Sequence, residues 1–365
     1  MRRSAVAALS VVVLALSGCG IEVGDKDGGH SEASGPAAPD LDTVTPLSDP
    51  RDWQGAVTAV AQDTAVDPVA EDPEPALPVT VTDNQGTKVT IDDTSRILAL
   101  DIYGTLSRTV YELGLGDSLV GRDVSTSFPE AADLPLVTKG GHDLNAESIL
   151  DLDPTLIITD TSLGPWDVIL QMRESGIPVV VVDSTRSVGN VGSLITSIAQ
   201  AVGLPDEGKT LVTRTEAQID AIKAKIADVA PKDDSQKLRT IFLYVRGQAN
   251  VYQLFGEGTG ADTLIDALGL YDVAEEIDWK GSRNVTAEAL IEAQPDLVFL
   301  MSKGLESVGN VDGLLEKVPA LASTPAGENE RFVAMEDSQI LGYGPLTASV
   351  LNALGVAVYA PEAIS

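Results

Sequence analysis

The stretch EGKTLVTRTEAQIDAIKAKIADV, Glu207 to Val229, decides the architecture. Its apolar residues Leu211, Val212, Ile219, Ile222 and Ile226 recur at helical spacing with charges between them, and beyond Gly208 it holds neither glycine nor proline. That pattern predicts one long amphipathic helix. Pro231 followed by Lys232, Asp233 and Asp234 stops it. On either side, short apolar runs bounded by turn residues alternate with amphipathic stretches, the pattern of parallel α/β structure. Strands are expected at Ile97 to Leu100, Leu156 to Thr159, Val179 to Val182, Thr240 to Val245 and Leu297 to Leu300. Helices are expected at Leu106 to Leu113, Val188 to Val202, Thr259 to Leu268 and Leu346 to Leu354. A single long helix between two α/β halves reads as a strut.

The halves also repeat each other. Ala146-Glu147-Ser148-Ile149-Leu150-Asp151-Leu152-Asp153-Pro154 leads into an apolar run at Leu156, and Ala287-Glu288-Ala289-Leu290-Ile291-Glu292-Ala293-Gln294-Pro295 leads into another at Leu297. Each copy is a short helix, a proline stop and a buried strand. The fold class is therefore α/β: two pseudo-symmetric Rossmann-like lobes, residues 78–205 and 233–365, joined by one bridging helix over 206–232, with a ligand cleft between the lobes.

The N-terminus carries Arg2 and Arg3, an apolar run from Ala5 to Leu16, and then Leu16-Ser17-Gly18-Cys19. Basic, apolar and small residues in that order form a secretory signal, and the apolar run is too short to span a bilayer, which takes about 20 residues. Cys19 is the single cysteine of 365 residues and stands where a lipobox places its thiol. This segment resembles the signals of bacterial lipoproteins, which implies residues 1–19 as signal peptide, acyl chains on Cys19 and an extracytoplasmic chain anchored to the outer face of the cell membrane. Residues 20–77 are rich in Gly, Pro, Ala, Ser and Asp, as in Glu71-Asp72-Pro73-Glu74-Pro75, and are expected to form a disordered tether. A net charge of -31 rules against a nucleic-acid partner.

Lipobox, spacer, two lobes, long helix and the repeated Glu-x6-Pro unit together resemble the helix-bridged substrate-binding proteins of ABC importers. The resemblance implies a monomer that binds its ligand between the lobes and docks one glutamate from each lobe, Glu147 and Glu288, on a permease. The residues alone give those carboxylates a local role, in the first turn of a helix where the dipole favours negative charge.

Ligands of open α/β sheets collect beyond the carboxyl ends of strands, which points to Tyr103, Arg122, the loop around His142, and Tyr244 to Arg246. His142 stands in Lys139-Gly140-Gly141-His142-Asp143; the other histidine, His30, lies in the expected tether. Taken alone, a loop histidine is by default a solvated one. Tyr244 and Arg246 lie two residues apart near a strand end and so share a face. A guanidinium beside a phenol favours the phenolate, the form that binds ferric iron. A haem iron takes two axial ligands, and His142 from one lobe with Tyr244 from the other fit that demand. Gly140-Gly141-His142-Asp143-Leu144 and Leu243-Tyr244-Val245-Arg246-Gly247 are similar to segments of the haem-binding lipoproteins that serve haem importers in Gram-positive bacteria. The resemblance implies haem as the transported ligand, iron bound by His142 and Tyr244, and Arg246 supporting the tyrosine.

Tyr271, Met301 and Tyr343 are further candidates for contact with the macrocycle, and Arg122 or Lys139 for its propionates. A ferric-siderophore or corrinoid carrier on the same fold is the competing reading, since Tyr103, Arg122, Trp166, Tyr244 and Arg246 would serve it without ligating metal. With one histidine in the folded part a zinc or manganese carrier lacks ligands. No Gly-x-Ser-x-Gly elbow supports a hydrolase, and Gly256-Glu257-Gly258-Thr259-Gly260 has neither phosphate-loop spacing. No enzymatic activity is expected.

Overall fold

The computed structural model describes residues 35–62 and 64–365; the signal segment, Cys19 and His30 lie outside the described residues. In the first lobe Leu156–Thr159 is the centre of a three-stranded parallel sheet, between Ile97–Leu100 and Val179–Val181. All three strands are buried throughout, as unbroken apolar runs covered on both faces must be. The second lobe holds a seven-stranded sheet in the order Val57–Ala59, Phe332–Met335, Leu297–Met301, Arg239–Arg246, Val251–Phe255, Ser282–Asn284, with Tyr271–Asp272 also beside Arg239–Arg246. Arg239–Arg246 and Val251–Phe255 form an antiparallel hairpin, and Arg239–Arg246 runs parallel to Leu297–Met301.

The long helix spans Pro205–Val229. It starts at a proline, whose missing N–H costs nothing in a first turn, and Asp206 and Glu207 suit the positive end of its dipole. Its buried stripe is Leu211, Thr215, Ile219, Ile222 and Ile226, and each such aliphatic side chain contributes about 1.5–3 kcal/mol on burial. It packs on Val191–Ala201 of the first lobe and on Thr347–Tyr359 of the second. At Gly208 a Cβ would lie 2.3 Å from that of Ala199, so only glycine lets the first two helices close on each other.

Both copies of the repeat are present. Ala146–Asp151 is capped by Asn145, whose side chain accepts from the Ser148 N–H, and Ala287–Ala293 by Thr286, which accepts from Ala289. Each helix is followed by a left-handed residue, Asp153 at φ 44° and Gln294 at φ 41°, then the proline and the buried strand. The shared backbone step, at non-glycine residues, makes the two units equivalent in conformation as well as in sequence.

Residues 35–77 differ from the expected tether. Ala38 and Leu41 are buried, the Leu41 N–H donates to Asn352 Oδ1 at 3.0 Å, and Val57–Ala59 pairs in parallel with Phe332–Met335 as the edge of the second lobe's sheet. The chain then crosses to the first lobe. There Arg108 donates to the carbonyls of Thr64 and Ala65 at 2.7 and 2.9 Å, the Val69 N–H meets the Glu112 carbonyl at 2.8 Å, and the Ala76 N–H meets that of Gly203 at 2.9 Å. A polar, proline-rich segment buries little side chain, yet a sheet edge satisfies its backbone and a buried arginine fixes its carbonyls.

One buried cluster, including Leu98, Leu100, Ile149, Ile157 and Ile169, fills the outer layer of the first lobe, and another, including Ile241, Leu243, Leu290, Val298 and Phe332, that of the second. The third is continuous through both lobes, taking in Ile158, Ile195, Ile222, Phe242 and Leu354. Because the lobes share this core, they form one unit.

Candidate functional site

The carboxyl end of Arg239–Arg246 carries the second lobe's contribution. Side chains two apart share one face of a strand, and the Arg246 guanidinium lies over the ring of Tyr244, 4.5 Å from its centroid. The other neighbour of that ring is Phe255, stacked at 5.3 Å and 11°, and Phe255 in turn stacks on Phe242 at 5.4 Å. The arginine thus meets the ring face. Arg246 is itself held: Nη2 donates to Asp337 Oδ2 at 2.9 Å and lies 3.9 Å from Met301 Sδ, while Nη1 donates to the Val245 carbonyl. The other Asp337 oxygen accepts from the Lys303 N–H at 3.1 Å, and the Lys303 ammonium pairs with Glu336. Met301, Lys303 and Asp337 follow the two neighbouring parallel strands, so all of them arrive at one sheet end.

The first lobe contributes His142, at the turn between Thr138–Lys139 and Asp143–Leu144. Gly140 and Gly141 lie at φ 59° and 103°, with open space where a Cβ would stand, so glycine is needed for conformation and not for room. Nδ1 of His142 is buried with no hydrogen-bond partner. Burial holds the imidazole pKa below the ordinary value, and Arg246 adds to the shift, with Asp337 opposing it. Charges of the second lobe thus act on His142, and the downward shift favours the neutral ring, the form in which a histidine nitrogen binds a metal.

Beneath this loop the first lobe's strand ends are locked by charge. Arg186, buried, pairs with Asp160 at 2.6 Å and Asp101 at 3.3 Å and lies over the ring of Tyr103 at 5.6 Å from its centroid. Burial pushes the Asp101 carboxyl up, with Arg186 pulling it back. Burial also raises the phenol of Tyr103, with Arg186 pulling it back.

One expected contact lies away from this sheet end, and a second is tied into the core. Tyr271 pairs with Arg239 at the opposite end of the strand from Tyr244, roughly 16 Å away along it, and is engaged by Glu276 and by the Arg239 guanidinium. Tyr343 is buried in the shared core, where its hydroxyl donates to the Gly260 carbonyl at 2.5 Å, and burial pushes it well above the usual phenol range. It serves the packing of a turn; the glycines that flank it read equally as turn and as site. Arg122 is half-buried and turned onto its own loop, toward the carbonyls of Asp123 and Thr126 at 3.3 and 3.5 Å, while Lys139 is exposed beside His142. Trp166 packs on the first lobe's outer core. Among the described residues no three His, Cys, Asp or Glu side chains gather as a metal site.

Residues 102–338, which include both strand ends and the bridging helix, match the family model described as periplasmic binding protein. The chain belongs to the periplasmic binding protein family. Heme binding protein HmuT is similar to this periplasmic binding protein at 42% identity and a TM-score of 0.81, covering 86% of this chain and 100% of that one. Three further HmuT structures each replace one residue by alanine: a histidine, a tyrosine, and an arginine two positions after the tyrosine. The ABC transporter substrate-binding lipoprotein YvrC of Bacillus subtilis is 24% identical over 78% of this chain and 86% of its own length. The vitamin B12-binding protein of Vibrio campbellii is 23% identical over 62% of this chain and 78% of its own. The family is one of binding proteins that serve transport, and not of enzymes.

Glu147 and Glu288 are both exposed, each in the first turn of its repeat helix. Asp337, Lys303, Glu336 and Arg186 were missed by reading the sequence. The rule that found Tyr244 applies to Asp337, which stands two residues beyond Phe332–Met335, but a lone carboxylate among 55 acidic residues carried no mark of its own.

Proposed function

We propose that this protein captures haem between its lobes and delivers it to the permease of an ABC importer. The observations that support this reading are the buried Nδ1 of His142, which lacks a partner, the Arg246 guanidinium over the Tyr244 ring, and the influence of that guanidinium on His142. The neutral imidazole and the phenol oxygen supply the two axial donors for the iron of the cargo. Arg246 sits on the phenol ring and offsets the negative charge that a bound phenolate and propionates bring. Asp337 keeps the guanidinium there. The likeness to HmuT, and the histidine, tyrosine and arginine chosen in its variants, support the same residues.

Hemin titrated into the purified protein should give a Soret band that saturates, and His142→Ala and Tyr244→Ala should each weaken binding by about tenfold or more. If both variants take up hemin like the parent, the ligation is wrong. The vitamin B12-binding relative supports a corrinoid as the second reading, and the same titration with cyanocobalamin separates the two: tight cobalamin uptake with no Soret band favours the corrinoid.

Lipidation of Cys19 would hold the protein at the outer face of the membrane as a monomer, a reading supported by the lipoprotein YvrC and by the signal sequence. Among the described residues no helix is long and apolar enough to cross a membrane. Glu147 and Glu288, one per lobe, would dock on cationic residues of the permease. Reversing both charges should leave hemin affinity intact and abolish haem uptake by cells.

A further inference from the structure

The segment that holds Arg246 is also one where the lobes touch. Asp337–Ile340 is a short helical turn, tied to the glycine that follows it by the Gly342 N–H, which donates to the Gln339 carbonyl at 3.0 Å. Its first residue, Asp337, accepts from Arg246 Nη2 through one oxygen and from the Lys303 N–H through the other. The hydroxyl oxygen of the next residue, Ser338, lies 3.2 Å from that of Ser127 in the first lobe. At the far end the Gly342 carbonyl accepts from the buried hydroxyl of Thr105, also of the first lobe. A Cβ at Gly344 would stand 2.5 Å from Thr105 Cγ2, so glycine lets the lobes close on each other here. The first lobe presents its two hydroxyls from one platform. Asp123, fully buried, accepts from the Asp101 N–H with one oxygen and from the Ser125 and Thr126 N–H groups with the other. Asp101 in turn accepts from the Leu106 N–H. Ser127 and Thr105 each adjoin a residue so held, and they are carried together.

We propose that Thr105, Ser127 and Ser338 are positioning residues for Arg246: contact between the lobes sets Asp337, and Asp337 sets the guanidinium over Tyr244. The proposal rests on the haem reading and deepens it by assigning how the cargo is let go. With the lobes in contact, two hydroxyls of the first lobe hold the segment at both ends, and the Asp337 carboxylate is kept on Arg246. When the lobes part, these two bonds are lost together, because they hang from one platform. Asp337 is then free to leave Arg246, and the tyrosine loses the cation that offsets a bound phenolate. Hydrogen-bond chains of this kind carry coupling between distant groups. A parted cleft therefore holds its cargo less tightly at the iron itself, and not only through fewer contacts.

The test uses the full chain. Lys303 stands in the first turn of the Ser302–Glu306 helix, where an N–H has no acceptor in its own helix, so exchange of its amide reads Asp337 in the empty protein. Thr105→Val with Ser338→Ala should speed that exchange by about threefold or more, and hemin dissociation by a similar factor. Ser127→Ala, at a half-buried position, should move both readouts in the same direction. Thr105→Ser, which keeps the hydroxyl, should behave like the parent. In an Arg246→Ala background the double substitution should add nothing to the dissociation rate, because its effect passes through the guanidinium. Unchanged exchange at Lys303 overturns the proposal. So does a rate increase that persists in full without Arg246, since the contacts would then act on lobe separation alone. If the parent binds no hemin, the haem reading fails, and exchange at Lys303 decides the coupling by itself.

Discussion

Arg108 is the bolt of the segment that crosses from the second lobe to the first, and its removal has a calculable effect. The side chain is 9% exposed, donates to the Thr64 and Ala65 carbonyls at 2.7 and 2.9 Å, and pairs with Glu112 at 3.2 Å. Arg108→Met keeps the buried stem and deletes all three contacts. A hydrogen bond with a charged partner contributes about 1.5–3 kcal/mol. The lower end applies here for two reasons. Burial already holds the guanidinium pKa below its usual value, so removing it recovers desolvation energy, and Ala65 is exposed, so its carbonyl can return to water. Glu112 is not stranded, because Arg214 pairs with it at 2.6 Å. With Glu112 still paired, the two carbonyl bonds set the expected loss at about 3 kcal/mol, which lowers Tm by roughly 6 °C at about 2 °C per kcal/mol for a chain of this size. Opening is expected to be local. The amides of Val66, Asp67 and Val69, bonded to Glu130, Glu112 and the Glu112 carbonyl, should exchange up to ~100-fold faster by hydrogen–deuterium exchange, while those of Arg239–Arg246 stay protected. If Tm falls but exchange at positions 66, 67 and 69 is unchanged, Arg108 stabilises the core alone and the segment is held elsewhere.

Asp337→Ala frees the Arg246 guanidinium from a partly buried pair worth about 1 kcal/mol; Tm should fall by only about 2 °C while hemin dissociates about fivefold faster, and an unchanged rate means Arg246 needs no holder. Burial pushes the Asp272 carboxyl up to about 6, so it favours the folded state while protonated, below about 3.8, and that contribution is lost as pH rises through about 6. Asp272→Asn keeps the cap on the Ala274 N–H and escapes the loss. It should be more stable than the parent by about 1–3 kcal/mol near neutrality, with the gain vanishing toward pH 4 in denaturant titrations; a gain independent of pH refutes the assignment.

The frame was legible because it is written in local patterns. Unbroken runs such as Leu156 to Thr159 can only be strands covered on both faces, and a 25-residue helix without an internal proline can only be a strut. His142 and Tyr244 stood out as candidates for a related reason: one is the single histidine of the described chain and the other stands at a strand end, so rarity and topology marked them. Tyr343 shows the limit of that reasoning. Glycines on both sides announce a turn, yet they do not say whether the turn's side chain faces the cleft or the core, and here it satisfies the Gly260 carbonyl within the core.

The residues that escaped do so for a common physical reason: their roles are given by partners far away in sequence. Arg186 is 85 positions from Asp101 and 26 from Asp160, and Asp337 is 91 from Arg246. Composition misled most over residues 35–77, because it weighs what side chains bury and ignores what a backbone can be offered. Without a further strand beside it, Phe332–Met335 would end the sheet with its outer N–H and C=O groups unpaired. Val57–Ala59 satisfies them with three residues of no special hydrophobicity, and the sheet that recruits it is built almost entirely from residues more than 180 positions downstream. A segment of this kind is ordered by the demand of its neighbour, so its order belongs to the sequence of the second lobe as much as to its own.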